Sequence, residues 1–498
     1  MQTECNPDYF GFEAVEGRKV VASFDGGAIT SDAGALLLGA TDRALGMVDR
    51  LASCFVDHRS QAHVEHSVAT LVGQRIFALA LGYEDLNDHE TLRHDPLMAV
   101  LAGKLEARRS DCAAVAGKST LNRLELSKPE PSRYHKISYD AAAVDKLFVD
   151  LFLEAHRTAP SQIILDLDAT DDPLHGEQEG RFFHGYYKSY CYLPLYIFCG
   201  RHLLCARLRR ADIDASAGAI AEVARIVAQI RERWPGARIL LRADSGFTRD
   251  ELMTWCEQND VDYLFGLAKN DRLIAEIAPE LAEAAEENRI SGKPARRFKD
   301  FRYRTHKSWS QQRRVVGKAE WMIPSTAENA NDSASATKPR RKKRKKNKKS
   351  IKVGDVDLAT LEGRANPRFV VTSLPADKHQ ARALYEKLYC ARGEMENRIK
   401  ECQLDLFADR TSTGTMRANQ LRLWLSSMAY VLISALRRIA LAKTRFADAT
   451  CGTIRLKLLK IGAQVRISVR RIKFSMASAF PYTGVFRTAS AALDSAAR

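Results

Sequence analysis

Apolar residues recur at helical spacing over roughly the first third of the chain, after a more polar start. Val68, Leu71 and Val72 fall on one face of such a pattern, and Gly82 follows its last apolar position. Helical periodicity that stops at a glycine is typical of an amphipathic helix and its C-terminal end. Residues 1–158 are therefore predicted to form a helical N-terminal region.

Short apolar runs, typical of buried strands, replace this pattern between residues 159 and 270. These runs lie at 162–170, 192–200, 202–208, 237–247 and 261–269. A helix is predicted at 215–234, and Thr248 with Glu251 three residues later forms a capping box that predicts another. Three strands followed by alternating helices and strands predict an α/β fold, with a mixed sheet flanked by helices.

The remaining residues divide into three further regions. Residues 271–367 hold short β-like pieces and are predicted to be a β-rich insertion. Residues 368–410 return to a strand and then to a long helix, which Asp377 is expected to cap. Residues 411–498 are predicted to be a helical C-terminal region followed by a strand at 465–474, in which Arg466 and Arg470 form a basic face.

The most apolar late stretch, Leu423–Leu436, is expected to be a core helix. It has fourteen residues, fewer than the roughly 20 that a membrane span requires. No signal peptide is visible at the N-terminus. The ten cysteines include no CxxC pair, which favours a reducing compartment. We therefore expect a cytoplasmic protein without a membrane partner.

The charge of the chain favours a polyanionic partner. The net charge is +16 and the isoelectric point is about 9.4. Residues 338–349 alone contribute ten basic side chains, which leaves 16 − 10 = +6 for the rest. This run has no apolar side chain apart from one proline, so it is predicted to be disordered. It is either a solvated linker or a segment that contacts nucleic-acid phosphates.

Carboxylates occur where three core-directed segments end. Asp168 ends the first predicted strand, Asp244 ends the fourth, and Glu396 lies on the late helix. The first and fourth strands of such a sheet commonly lie side by side, so their acidic ends are expected to meet. Carboxylates that meet repel one another unless a cation neutralises them, and Mg²⁺ prefers oxygen ligands. Asp166 points the same way as Asp168, but a structural role is the stronger expectation for it.

The late helix adds positive charge to this predicted site. Tyr389, Arg392 and Glu396 follow one another at i, i+3 and i+7, on one helical face, and Lys400 follows one turn later. An acid flanked by Arg and Lys suits a site that holds metal and phosphate together. The hydroxyl of Tyr389 is a further candidate phosphate ligand.

These motifs together resemble those of a DDE transposase of a bacterial insertion sequence. The third motif of that group reads Tyr, two residues, Arg, three residues, Glu, six residues, Lys. Tyr389, Arg392 and Glu396 match it, whereas the position of its last residue holds Gln403. "DAT" at 168–170 and "RADSGF" at 242–247 resemble the first and second acidic motifs. The similarity covers residues of about 160–410.

The resemblance implies an RNase H-like catalytic core with Asp168, Asp244 and Glu396 as catalytic metal ligands. It implies two Mg²⁺ ions, with Mn²⁺ as a substitute, and phosphate binding by Tyr389 and Arg392, to which we add Lys400. The implied partners are terminal inverted-repeat DNA, target DNA and a second copy of the chain. Such a protein would cut the element's ends and join them to target DNA, acting at the bacterial nucleoid.

Two alternative functions stay open at this point. One is an RNase H-like nuclease that hydrolyses nucleic acid without joining strands, and the other is a DNA-binding regulator without catalytic activity. Individual aromatic residues are ambiguous too. Trp309 and Trp321 either stack on a DNA base or pack in a core, and core packing is favoured. His175 and His184 are either metal ligands or loop residues without a role at the site, and the second interpretation is favoured.

Overall fold

A mixed β-sheet lies at the centre of the chain, in a computed structural model that describes residues 10–322, 352–353, 356–357 and 364–496. The basic run at 338–349 lies outside these residues. The neighbouring strands of the sheet follow in the order His202–Arg207, Leu195–Cys199, Ile163–Ala169, Ile239–Ala243, Val261–Leu267, Arg368–Thr372, Arg313–Met322 and Ala295–Tyr303; Arg364–Ala365 pairs with Arg313–Met322. The prediction of a mixed α/β sheet is confirmed.

The pairing directions place the predicted first and fourth strands side by side. Ile163–Ala169 pairs antiparallel with Leu195–Cys199 and parallel with Ile239–Ala243. Ile239–Ala243 in turn pairs parallel with Val261–Leu267. Because parallel neighbours end at the same edge of the sheet, the acidic residues that follow these two strands leave the sheet together.

The helices beside these strands begin later than the sequence predicts. The first spans Ala219–Arg233 and starts after Gly218, which has a φ of 75° that glycine adopts without strain. The second spans Asp250–Gln258 and has Arg249 at its N-cap. The predicted capping box is therefore wrong. Thr248 instead donates its hydroxyl hydrogen to the carbonyl oxygen of Gly266, on the neighbouring strand.

The segment that follows residue 270 differs from the predicted β-rich insertion. It begins with two helices, Asp271–Glu276 and Ala278–Ser291, and its long strands Ala295–Tyr303 and Arg313–Met322 belong to the central sheet. Alanine and glutamate, both strong helix formers, dominate the second helix and explain the difference. Two short strands, Lys352–Val353 and Val356–Asp357, pair with each other.

Both ends of the chain pack around one long buried helix, Met416–Leu436. The N-terminal helices are Leu36–Leu45, Met47–Ala52, Val68–Leu81, His89–Leu92, Pro96–Leu101, Lys118–Glu125 and Ala141–Glu154, and the C-terminal ones are Cys451–Ile454 and Thr483–Ala496. Apolar side chains of both groups share a core with Trp424, which is fully buried. Of the helical region predicted at residues 1–158, the described part is largely helical from Ala33 onward, with short strands at Phe55–Asp57 and Ile137–Tyr139. Before residue 33 it holds strands and no helix.

Within the described residues, the long helix is also the one segment that is long and apolar enough to cross a membrane. Met416–Leu441 is long and apolar enough by length and composition, but 78% of its most apolar window is buried inside the protein. It therefore serves as the core helix that the sequence predicts. The nine cysteines within the described residues are free thiols.

The late helix begins at Ala381 and not at Asp377. Gln380 occupies its N-cap, and the helix continues through Gly393–Lys400 to Asp405. Two wider π-helical turns interrupt it, at Leu384–Tyr389 and Glu401–Asp405. These turns change the face on which later residues lie, because each adds a residue to a turn.

Two small sheets and a hairpin complete the described fold. Phe10–Val15 pairs with Arg18–Ala22, and Phe182–His184, Ser189–Tyr192 and Asp172–Pro173 form a three-stranded sheet. Ala463–Ser468 pairs with Arg471–Met476 and with Ile29–Thr30. The prediction of a single strand at 465–474 is therefore wrong. The chain reverses at Val469 and Arg470, which lack the Gly or Asn that usually marks such a turn.

One buried ion pair connects the strands to the late helix. Arg242 lies directly opposite Asp166 on the neighbouring strand and donates to both carboxylate oxygens, at 2.5 and 2.7 Å. A third donor of Arg242 reaches the carbonyl oxygen of Leu388 on the late helix, at 2.5 Å. Both side chains of the pair are less than a tenth exposed. Asp166 therefore has the structural role that the sequence favours.

We predict that Asp166→Ala strongly destabilises the protein, because it leaves the buried charge of Arg242 without its partner. The expected loss in the free energy of unfolding is about 3–5 kcal/mol, as for other broken buried pairs. Urea unfolding followed by tryptophan fluorescence measures it. The control is the double variant Asp166→Leu with Arg242→Met, which removes both charges and should cost less than the sum of its two single changes. Additive losses would contradict this interpretation.

Candidate active site

Asp168 and Asp244 lie side by side at the edge of the central sheet. The register pairs Leu167 with Ala243 on the neighbouring parallel strand, so the next residue on each strand is an aspartate. Both aspartates line an open cavity of about 530 Å³. Glu396, from the late helix, lines the same cavity. The structure thus brings together the three acids that the sequence singles out.

Local backbone groups hold the two aspartates in place. Asp244 begins the short helical turn Ser245–Phe247 and accepts a hydrogen bond from the backbone N–H of Gly246, at 2.8 Å. Asp168 accepts one from the backbone N–H of Ala169, at 3.0 Å. A Cβ atom at position 246 would lie 3.0 Å from the Asp244 carboxylate, so this tight turn favours glycine.

Arg392 connects the acid on the strand with the acid on the helix. Its guanidinium donates to Glu396 at 2.9 Å and to Asp168 at 3.4 Å. The side chain of Arg392 is 16% exposed and that of Glu396 is 48% exposed. One cation thus lies between two of the three carboxylates, and it pairs with Glu396 within the helix and with Asp168 on the strand.

The pKa of Asp168 is raised to about 6, mainly by burial and also by the charges of Asp244 and Glu396, while Arg392 opposes the rise. The neighbouring carboxylates thus disfavour the ionised form of Asp168. Additional positive charge in the cavity would relieve this repulsion.

The donor set fits a hard divalent cation, although the acids do not form a closed metal site. Three carboxylates offer the oxygen ligands that Mg²⁺ and Mn²⁺ accept. Over the described part of the chain, no cluster of three or more Asp, Glu, His or Cys side chains is close enough to hold an ion. Arg392 supplies part of the charge compensation in this arrangement.

Lys400 and Gln403 occupy different positions at this cavity. Both line it, and the side chain of Lys400 is exposed. Gln403 donates its amide hydrogen to the carbonyl oxygen of Asp171, at 3.0 Å. Of these two residues, only Lys400, four residues after Glu396, adds positive charge to the cavity, beside that of Arg392.

Tyr389 lies behind the acids and not on the cavity wall. A Cβ atom at position 266 would come within 2.5 Å of the Tyr389 hydroxyl oxygen and 3.0 Å of the Ser245 backbone nitrogen. Glycine at position 266 thus lets the tyrosine pack against the turn that carries Asp244. Burial raises the pKa of Tyr389, and Arg392 opposes this effect.

The other candidates fall outside the cavity or on its rim. Trp309 and Trp321 are 4% and 2% exposed. The interpretation of both as core residues is therefore correct, because rings this buried cannot stack on a DNA base. His175 does not line the cavity, whereas His184 does. Arg466 and Arg470 are exposed on the C-terminal hairpin and do not line the cavity.

Sequence reasoning missed the aromatic rim of the cavity. Tyr186 and Tyr187 line it together with His184. The run "RFFHGYYKSYCY" at 181–192 holds six aromatic Phe or Tyr residues around one glycine. That density of rings is the signal that would have identified the segment.

Comparison with known proteins gives a family match and a structural likeness of low similarity. No curated protein matches the chain. Among solved structures, a cryo-EM structure of the piggyBac transposase synaptic complex with hairpin DNA is 8% identical, with a TM-score of 0.37, and the match covers 86% of this chain and 80% of that one. A TM-score this low does not establish a shared fold. The model of the family Transposase DDE domain group 1 matches residues 12–328 and 357–498. Since these residues make up most of the chain, the protein belongs to the Transposase DDE domain group 1 family.

Proposed function

We propose that this protein is the transposase of a bacterial insertion sequence, which cuts DNA at the element's ends and joins the freed ends to target DNA. The observation that carries the proposal is the shared cavity of Asp168, Asp244 and Glu396 in a member of a DDE family. Arg392 and Lys400 at the same cavity supply the positive charge that a DNA phosphate requires.

The catalytic core is proposed to be RNase H-like and to comprise residues 159–270 and 368–410. Three consecutive antiparallel strands next to two parallel ones support this assignment. Residues 271–367 separate the two parts of the core. Residues 1–158 are proposed to bind the element's ends, and residues 411–498 to contact DNA or a second copy of the chain.

Asp168, Asp244 and Glu396 would hold Mg²⁺, or Mn²⁺ in its place, as two ions. Bound divalent ions would activate the attacking hydroxyl or water and stabilise the leaving oxygen of the phosphodiester. Lys400 is proposed to attract the DNA phosphate, and Arg392, now paired with Asp168 and Glu396, to donate to it. The phosphate role that the sequence suggests for Tyr389 does not fit its position off the cavity wall. Tyr389 is instead proposed to orient Arg392.

We predict that Asp168→Ala, Asp244→Ala and Glu396→Ala each abolish Mg²⁺-dependent nicking of duplexes that carry the terminal inverted repeat. DNA binding, measured by gel shift, should persist, because the phosphate-binding side chains remain. Glu394→Ala is the matched control, since this exposed acid on the same helix does not line the cavity. Full nicking by any of the three variants would remove that acid from the site.

Strand transfer distinguishes the proposed transposase from a nuclease with the same three acids. We predict that the full chain joins pre-cut terminal-repeat DNA to a supercoiled target plasmid, because the two reactions use the same carboxylates with different attacking hydroxyls. The products are separated on a denaturing gel. Hydrolysis without joined products would assign the protein to the nucleases, and an absence of divalent-ion binding in a titration would favour a non-catalytic regulator.

The C-terminal hairpin is proposed as a DNA contact outside the cavity. Residues 463–476, which we term the basic hairpin, carry Arg466, Arg470, Arg471 and Lys473 and no acid. Arg466 lies directly opposite Lys473, and like charges at opposed positions destabilise a hairpin. Over the described residues none of the four cations has a carboxylate partner. A polyanion would relieve this repulsion.

The basic hairpin is packed at its base and exposed at its tip, and the exposed part has the shape of a two-stranded ribbon that contacts DNA. Val465 and Phe474 pack against the protein body at its base, whereas Ile467 is 54% exposed and Val469 is fully exposed at its tip. A two-stranded ribbon fits the major groove of a DNA duplex. The basic face would then meet the phosphates.

We predict that Arg466→Ala and Arg470→Ala weaken binding to duplexes of any sequence and reduce its salt dependence. Each lost phosphate contact should lower the slope of log affinity against log salt by about 0.9. Fluorescence anisotropy across a salt series measures it. Arg289→Ala is the control, since this exposed arginine is paired with Glu286. An unchanged slope would exclude the hairpin from DNA binding.

A further inference from the structure

A second hairpin beside the catalytic cavity exposes an unusual number of aromatic rings. We term residues 182–192 the aromatic hairpin; its strands are Phe182–His184 and Ser189–Tyr192. The exposed fractions are 46% for Phe182, 49% for Phe183, 82% for Tyr186 and 46% for Tyr190. Clustered exposed rings of this kind mark a binding surface more often than a solvated one.

The tip of the aromatic hairpin is fixed next to Asp168. The Tyr187 hydroxyl donates to the carbonyl oxygen of Ala169, at 3.4 Å, and Ala169 directly follows Asp168. Tyr186 packs edge-on against Tyr187, with ring centroids 5.0 Å apart at 87°. Tyr187 thus serves as an anchor, while Tyr186 keeps most of its ring available to a ligand in the cavity.

The polar groups around these rings suit a nucleotide. Lys188, at the end of the tip, is exposed, and it forms no salt bridge with any residue that the structure describes. Nδ1 of His184 is buried and has no hydrogen-bond partner within that part of the chain. His184 also stacks at a tilt against Tyr187, 4.9 Å away. The exposed ring of Tyr186 and the exposed cation of Lys188 match a base and its phosphate.

We propose that the aromatic hairpin binds an unstacked DNA base next to the cleaved phosphate, with Tyr186 as the stacking ring. This inference rests on the proposed function, since it requires a DNA phosphate at Asp168 and Asp244. Base–aromatic stacking tolerates any base sequence, because every base has a flat face. Because Trp309 and Trp321 are buried, we assign this role to the aromatic hairpin.

The test is single-turnover cleavage by the full chain with Mg²⁺. The DNA probes are duplexes that carry the inverted repeats bracketing the gene. Tyr186→Ala should lower the cleavage rate about tenfold, as expected from the loss of one base–aromatic stack. Tyr186→Phe, which keeps the ring, should cleave at nearly the wild-type rate. Phe24→Ala is the control, since Phe24 is 96% exposed and does not line the cavity.

A mismatch series separates stacking from a general structural role. A single mismatch is placed in turn at each of the base pairs nearest the cut. A mismatch lowers the energy needed to unstack a base, so one position should restore most of the activity of Tyr186→Ala while changing the wild-type rate little. A folding defect would not be rescued by the substrate.

The outcomes distinguish this inference from the function on which it rests. Failure of the wild-type chain to cut any repeat duplex would overturn the proposed function. Normal cleavage by Tyr186→Ala, or a loss that no mismatch restores, would overturn the stacking proposal alone. If that loss coincided with a loss of dimers in analytical ultracentrifugation, the aromatic hairpin would be a contact between copies of the chain.

Discussion

The arrangement of the candidate site depends on the buried pair between Asp166 and Arg242. This pair joins two adjacent parallel strands, and Arg242 also binds the carbonyl oxygen of Leu388 at the start of the helical segment that carries Arg392. Three elements far apart in sequence are thereby held in one orientation. Asp168, Asp244 and Glu396 reach a common cavity because the elements that carry them cannot shift independently.

Asp166 and Asp168 lie on one strand but are neutralised in different ways. This difference distinguishes the structural role of Asp166 from the candidate chemical role of Asp168. Asp166 is enclosed with Arg242, which binds both its oxygens. Asp168, two residues later, faces an open cavity and shares Arg392 with Glu396 at the longer distance of 3.4 Å. A cation or phosphate arriving from solvent can compete for the second arrangement but not for the first. Burial is the main cause that raises the pKa of Asp168 to about 6, and the charge of Arg392 opposes this rise only in part.

Much of the sheet was predictable because its strands are short apolar runs that end at acids or glycines. The positions of Asp168 and Asp244 followed from adjacency of the strands. The basic hairpin was not predictable as a hairpin, because Val469 and Arg470 give no turn signal. Thr248 was misread because its hydroxyl has a tertiary partner at Gly266, which a local motif cannot reveal. The density of rings at 181–192 was visible in the sequence, but their position at the cavity was not, because it depends on tertiary contacts such as that of Tyr187 with Ala169.

The motif has a lysine at the position that Gln403 occupies in this chain, and the geometry of the late helix explains the difference. In a regular α-helix, residues four and seven positions after Glu396 both return to its face. The π-helical turn at Glu401–Asp405 adds a residue to the later turn, so position 403 departs from the regular helical spacing although Gln403 still lines the cavity. Gln403 then directs its amide to the backbone of Asp171 instead of the cavity centre. Lys400 precedes the wide turn and keeps the orientation that Glu396 sets. We therefore propose that Lys400, four residues after the glutamate, supplies the positive charge that the motif places at position 403.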